Sequence, residues 1–171
     1  DSTFNDTLAG VSGGAIYSEK SSVSISGSKF IDTKANSGSG GAIFGYGAIS
    51  VLGSTFTDAR VKSEGGAIYG KSSVSVTNST FKDTSANDGG AIYSNNDNIS
   101  VIGVSFKDTA ASRNGGAIYG KSGTVSVTNS IFNNATANSG SGGAIFGYGA
   151  ISATNSIFNN ATANSGSGGA I

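Results

Sequence analysis

Five aspartates stand two residues after a phenylalanine: Asp6, Asp32, Asp58, Asp83 and Asp108 follow Phe4, Phe30, Phe56, Phe81 and Phe106. Asn134 and Asn160 hold the same place after Phe132 and Phe158. Carboxylates at one repeated spacing have two natural chemistries. They can supply oxygen ligands to calcium held between repeats, here from Asp32, Asp58, Asp83 and Asp108. They can also hydrogen-bond their own turn backbone and face water, as Asp and Asn both do. The change from Asp to Asn favours the turn role, because Asn makes the same turn without charge. No cofactor is expected, and calcium is the disfavoured alternative.

A second set of side chains suits recognition. Tyr17, Phe44, Tyr69, Tyr93, Tyr119 and Phe146 each directly follow an isoleucine. If the isoleucines point inward in extended chain, alternation places these six rings outside. Such an outward aromatic ladder could bind carbohydrate or a partner protein, and Tyr69→Ala would then cost far less than Phe81→Ala. Tyr46 and Tyr148, each in a Gly-Tyr-Gly triplet, read as turn tips. Catalysis is not expected. The chain has no His and no Cys, so the usual bases, nucleophile pairs and transition-metal ligands are missing. Arg60 and Arg113 are the only arginines; they read as equivalent turns two repeats apart, away from any distinct acid cluster.

These residues must be positioned by a repeat. Gly-Gly-Ala-Ile begins at Gly13, Gly40, Gly65, Gly89, Gly115, Gly142 and Gly168, and the phenylalanines continue through Phe132 and Phe158. A period of about 25–26 residues marks a solenoid. Within one repeat, Val74-Ser75-Val76-Thr77 alternates apolar and polar, flanked by short runs at Ala67–Tyr69 and Thr80–Phe81. Period-two patterning with β-branched residues signals strands, and the Gly, Ser, Asn and Asp between them signal turns. The expected fold is all-β: a parallel β-helix over residues 1–171, with six to seven coils and three short strands per coil. At strand spacing the stack would be roughly 30 Å long. Ile16, Ile43, Ile68, Ile92, Ile118 and Ile145 would form one internal ladder, and Val23, Val51, Val74, Val101 and Val127 another. The Gly-Gly pair suits a corner that needs positive φ or a close backbone approach.

The tetrads, paired with Asn78-Ser79-Thr80-Phe81, Asn129-Ser130-Ile131-Phe132 and Asn155-Ser156-Ile157-Phe158, resemble the repeats of chlamydial polymorphic outer-membrane proteins. They are still more similar to adhesin-like surface proteins of methanogenic archaea. The resemblance covers the whole chain. It implies a right-handed parallel β-helix, an extracellular or cell-surface location, and adhesion. The chlamydial repeat carries Asn three residues after Phe, whereas here Asp or Asn stands at the second.

Ten basic and ten acidic residues balance to zero with no basic stripe, so nucleic acid is not an expected partner. No apolar run is long enough for a membrane helix, so insertion of this segment is not expected either. The expected role is a structural or adhesive segment of a surface protein or fibre, meeting host or neighbouring cells through glycan or protein. End-to-end self-association is a further expectation, since neither end reads as a capping unit and unpaired strand edges invite another chain; both ends cut through a repeat, so further repeats of a longer polypeptide are the favoured cover. The alternatives are an ice-binding solenoid, for which Thr77, Thr128 and Thr154 align but Ser26 and Gly103 interrupt, and a polysaccharide-degrading β-helix.

Overall fold

The computed structural model describes every residue, Asp1–Ile171. The chain is all-β and winds into stacked parallel coils, a β-solenoid of about six turns. Each coil contributes one strand to each of four parallel sheets. Sheet A holds seven three-residue strands centred on phenylalanine, from Thr3–Asn5 to Ile157–Asn159. Sheet B holds seven two-residue strands, from Leu8–Ala9 to Thr162–Ala163. Sheet C holds six, from Ile16–Ser18 to Ile145–Gly147, and sheet D six, from Val23–Ser26 to Ile151–Thr154. The expectation of three strands per coil is corrected to four. Sheet B escapes sequence reading because two residues are too few to show alternation.

Register brings like onto like. The isoleucine ladder forms as expected, with Ile43, Ile68, Ile92, Ile118 and Ile145 fully buried. The phenylalanine rings stack through the core, centroids 4.6–5.1 Å apart and planes within 9°. The expected valine ladder is corrected to two files. Val23, Ile49, Val74, Ile99, Val125 and Ile151 occupy the first inward place of sheet D; Ile25, Val51, Val76, Val101, Val127 and Ala153 occupy the second. The two inward places carry the same residue types, and turns of unequal length precede them, so the sequence blurs their phase.

Two bends are fixed in length. Two residues join each strand of sheet D to sheet A, and two join A to B. The first residue of the D–A bend is left-handed: Gly27, Gly53, Asn78, Gly103, Asn129 and Asn155 have φ between 48° and 64°. Only Gly, Asn and Asp enter that region at little cost. The second residue is a serine that faces inward, except Val104. The Ser54 hydroxyl donates to the Leu52 carbonyl (2.9 Å) and accepts the Ser28 N–H (3.1 Å). The Ser79 hydroxyl likewise accepts the Ser54 N–H (3.0 Å). The Asn-Ser pair of the repeat is thus a bend followed by a buried serine that ties two coils together.

The A–B bend uses the Asp or Asn at its first place and Thr or Ala at its second. The hydroxyls of Thr7, Thr33, Thr84 and Thr109 are buried without a partner, whereas Ala59, Ala135 and Ala161 serve in the same place. A buried unpaired hydroxyl costs about 1–3 kcal/mol. Thr109→Val keeps the shape and removes the hydroxyl, so the melting temperature is expected to hold or rise; a clear fall would show that Thr109 Oγ1 has a partner.

The other two connections vary. Three or four residues join C to D, and five to seven make the corner from B to C. That corner contains Gly-Gly, and its two glycines have different causes. The first is left-handed, with φ between 62° and 69° in all seven copies. The second has no room for a side chain: a Cβ on Gly66 would lie 1.9 Å from the Gly90 carbonyl oxygen, and one on Gly90 2.0 Å from that of Gly116. Here the coil narrows until the glycine backbone rests against the sheet B backbone of the next coil.

Candidate functional site

The rings lie outside the isoleucine core, as alternation requires: Phe44, Tyr69, Tyr93, Tyr119 and Phe146 form a separate cluster, and Tyr17 stacks on Phe44 at its end. They stack along the axis with centroids 4.8–5.2 Å apart. The expected open ladder is nevertheless corrected. Phe44, Tyr69, Tyr93 and Tyr119 are only 5–8% exposed, Phe146 is half-buried, and Tyr17 at the end of the file is 52% exposed. Each of the four inner rings is covered above and below by its neighbours. The Gly-Gly corner closes on the file too: a Cβ on Gly89 would come 3.3 Å from Tyr119 Cβ. Tyr46 and Tyr148 sit at exposed turns, as expected, and meet Phe44 and Phe146 edge-on at 5.4 and 5.3 Å. No inner ring keeps a free face for a sugar to stack on.

Burial pushes the Tyr69 and Tyr119 phenols up to about 12, with Glu64 adding to the first and Tyr148 to the second. Tyr93 is raised by the same desolvation. An unfolded tyrosine releases its proton near 10, so between pH 10 and 12 the folded chain binds more protons than the unfolded one. Stability is fully present below that window and lost as pH rises through it. The melting temperature is expected to fall across pH 10–12, with tyrosinate absorbance rising as the fold is lost. Normal titration of all tyrosines in a chain that stays folded would contradict this.

The aspartates all occupy the left-handed A–B bend, with φ between 50° and 56° for the Asp and Asn file. Their partners lie on the surface. Asp32 meets Lys34 at 2.7 Å, Asp58 meets Arg60 at 2.7 Å, and Asp83 meets Lys82 at 3.5 Å. The hydrogen bond from Lys34 holds the Asp32 carboxyl below the usual range. Asp108 accepts from Asn134 Nδ2 (2.8 Å), and Asn134 Oδ1 accepts from Asn160 Nδ2 (3.2 Å). The first five coils each supply one carboxylate to this file and the last two an amide, and no three acidic groups converge. What the Asp and Asn file shares is the left-handed bend itself; these side chains meet neighbouring side chains, not their own turn backbone as expected.

Sequence reading passed over a polar file at the corner, immediately before each Gly-Gly: Ser12, Ser39, Glu64, Asp88, Asn114, Ser141 and Ser167. Its side chains accept N–H groups from the next coil. The Asn114 N–H donates to Asp88 Oδ1 (3.1 Å), and the Ser141 N–H to Asn114 Oδ1 (3.0 Å). Asp88, 4% exposed, is the one buried charge. It is compensated by the Arg113 guanidinium and by Asn114 Nδ2. Glu64 accepts from the hydroxyls of Ser39 (2.7 Å) and Ser63 (2.6 Å). Both carboxylates are therefore engaged in holding the corner. The reading of Arg60 and Arg113 as equivalent is corrected: Arg60 lies in sheet B, whereas Arg113 stands three residues further round its coil, at the corner. Mixed residue types hid this file, because Ser, Asn, Asp and Glu share only an acceptor oxygen.

The outer face of sheet D carries two files. Ser24, Ser50, Ser75, Ser100, Ser126 and Ser152 run unbroken. Beside them stand Ser26, Leu52, Thr77, Ile102, Thr128 and Thr154, so Leu52 and Ile102, not Gly103, interrupt the threonines. Comparison with protein-family models, with curated proteins and with solved structures finds no match to this chain.

Proposed function

We propose that the chain is a structural and adhesive segment of a cell-surface protein or extracellular fibre, displaying one repeated surface along its axis. The supporting observation is the unbroken serine file of sheet D, one hydroxyl per coil through six coils in register. The file beside it varies from Ser26 through Leu52, Thr77 and Ile102 to Thr128 and Thr154, so the serines are the part of this face that repeats in every coil. A repeated display suits many weak contacts made together, where linked sites gain avidity without any strong single contact. Its partners are glycan or protein on a host or neighbouring cell.

The test is retention of cells and glycans on immobilised protein. Versions shortened by whole coils are expected to lose retention more steeply than in proportion to coil number. Absence of retention on every cell type and glycan tried, with the chain folded, would overturn the proposal.

A further inference from the structure

All the tyrosines of this chain belong to one connected set of rings. Tyr17, Tyr69, Tyr93 and Tyr119 stand in the stacked outer file with Phe44 and Phe146, and Tyr46 and Tyr148 meet those two phenylalanines edge-on. The chain has no Trp, Met, Cys or His, so phenol is its one readily oxidised side chain. The core file of stacked phenylalanines is no substitute, because an unsubstituted ring gives up an electron far less readily than a phenol.

Four of the phenols follow one another without a break. Tyr69 and Tyr93 stand 5.1 Å apart and Tyr93 and Tyr119 4.8 Å, with both pairs of planes at 6°. Tyr148 meets Tyr119 at 6.3 Å, nearly at right angles. Phe44 lies on the far side of Tyr69 and separates the run from Tyr17. Rings this close are in contact, so an electron can pass between them with no bridging group. A carboxylate beside a ring favours loss of an electron from it. Glu64 acts on Tyr69 and Tyr93, and Asp88 on Tyr93 and Tyr119, where Arg113 offsets it.

Oxidation of a phenol is completed by loss of its proton, and here the rings differ. Burial holds the protons of Tyr69, Tyr93 and Tyr119 more tightly than usual. Tyr148 is 73% exposed in its C–D turn and can give its proton to water. Tyr46 occupies the same turn with coils on both sides and is still 41% exposed, so exposure belongs to the turn itself. The Lys71 ammonium lies 4.7 Å from the centre of the Tyr46 ring and disfavours positive charge there.

We propose that Tyr69, Tyr93, Tyr119 and Tyr148 form a one-electron relay that makes the exposed Tyr148 phenol the site of oxidative modification. The co-reactant is a one-electron oxidant, such as a peroxide-derived radical. The oxidant takes one electron from a ring of the run and is itself reduced by one electron. Each ring then refills from its neighbour until the vacancy reaches Tyr148. There the phenol O–H bond breaks, the proton goes to water, and a neutral phenoxyl radical remains. The relay is independent of adhesion and would operate in a chain that binds no cell.

The test places the oxidant at one end of the run and reads the other. The chain has no native cysteine, so Lys71→Cys gives a single thiol for a ruthenium polypyridyl photo-oxidant. A Tyr46→Phe background removes the exposed phenol beside the label. The full chain is illuminated with an irreversible cobalt(III) electron acceptor and a nitroso spin trap, and radical adducts are mapped by mass spectrometry. Tyr148 is expected to carry most of the adduct, at a yield per chain that does not change on dilution. Tyr93→Phe keeps the ring and removes the phenol in the middle of the run, so the Tyr148 adduct should fall at least fivefold. Tyr17→Phe, beyond Phe44, should leave it unchanged. Thermal melts check that the variants keep the fold. No adduct at Tyr148, a yield that falls on dilution, or an equal yield in Tyr93→Phe would each overturn the proposal.

Discussion

Gly90→Ala is expected to break the solenoid. The added Cβ would lie 2.0 Å from the Gly116 carbonyl oxygen and 2.6 Å from that of Ala110. Both oxygens belong to backbone, and the Gly90 N–H itself bonds the Gly115 carbonyl at 3.1 Å, so neither side can yield locally. Relief requires the coils to part. The cost is expected to exceed about 4 kcal/mol, a large share of the stability of a domain. Because each coil touches only its neighbours, the stack should divide at this level into two shorter blocks. Gly53→Ala is the control. Gly53 also has positive φ, 56°, but nothing lies within 4 Å of its absent Cβ. It should cost only the left-handed strain, about 1–2 kcal/mol. Chemical denaturation of both variants decides the matter. Equal losses would mean that the close approach of coils is not what excludes a side chain at Gly90.

The second large effect is expected at Phe81. Its ring is fully buried between Phe56 and Phe106, with centroids at 4.7 and 5.1 Å. Phe81→Ala opens a cavity in the core and interrupts the stack, at a cost of about 3–5 kcal/mol. Tyr69 was expected to be far less sensitive if its ring stood free outside. The structure changes that expectation, because the ring is 8% exposed and stacked against Phe44 and Tyr93. Tyr69→Ala is now expected to cost about 2–3 kcal/mol, somewhat less than Phe81→Ala. A loss below half a kcal/mol would show that the outer file opens to solvent in solution.

The repeat made much of the fold legible. Ile68, Phe81 and the alternation at Val74–Thr77 gave the strand faces, and Gly-Gly gave the corner. The aspartate bend was also readable, because Asp and Asn both enter the left-handed region. What stayed hidden followed from short or mixed signals. Ser85–Ala86 is too brief to alternate, so sheet B was missed. The buried Ser28, Ser54 and Ser79 could not be told from the many exposed serines around them. Alternation correctly placed Tyr69 outside the core, but it counts faces of a strand and cannot see a second layer of rings closing over one another.

The uneven connections have a consequence for growth of the molecule. All four sheets keep register although the C–D turn varies between three and four residues and the corner between five and seven. The two-residue bends on the opposite side never vary. Foreign segments should therefore be accepted at the variable loops, as between Asn95 and Asn98, where exposed loop tips tolerate insertion. In the fixed bends a single added residue would turn the side chains of the next strand to the wrong face, as far as the next variable loop. Peptides grafted at the C–D turn of successive coils would stand like the teeth of a comb, about 4.8 Å apart.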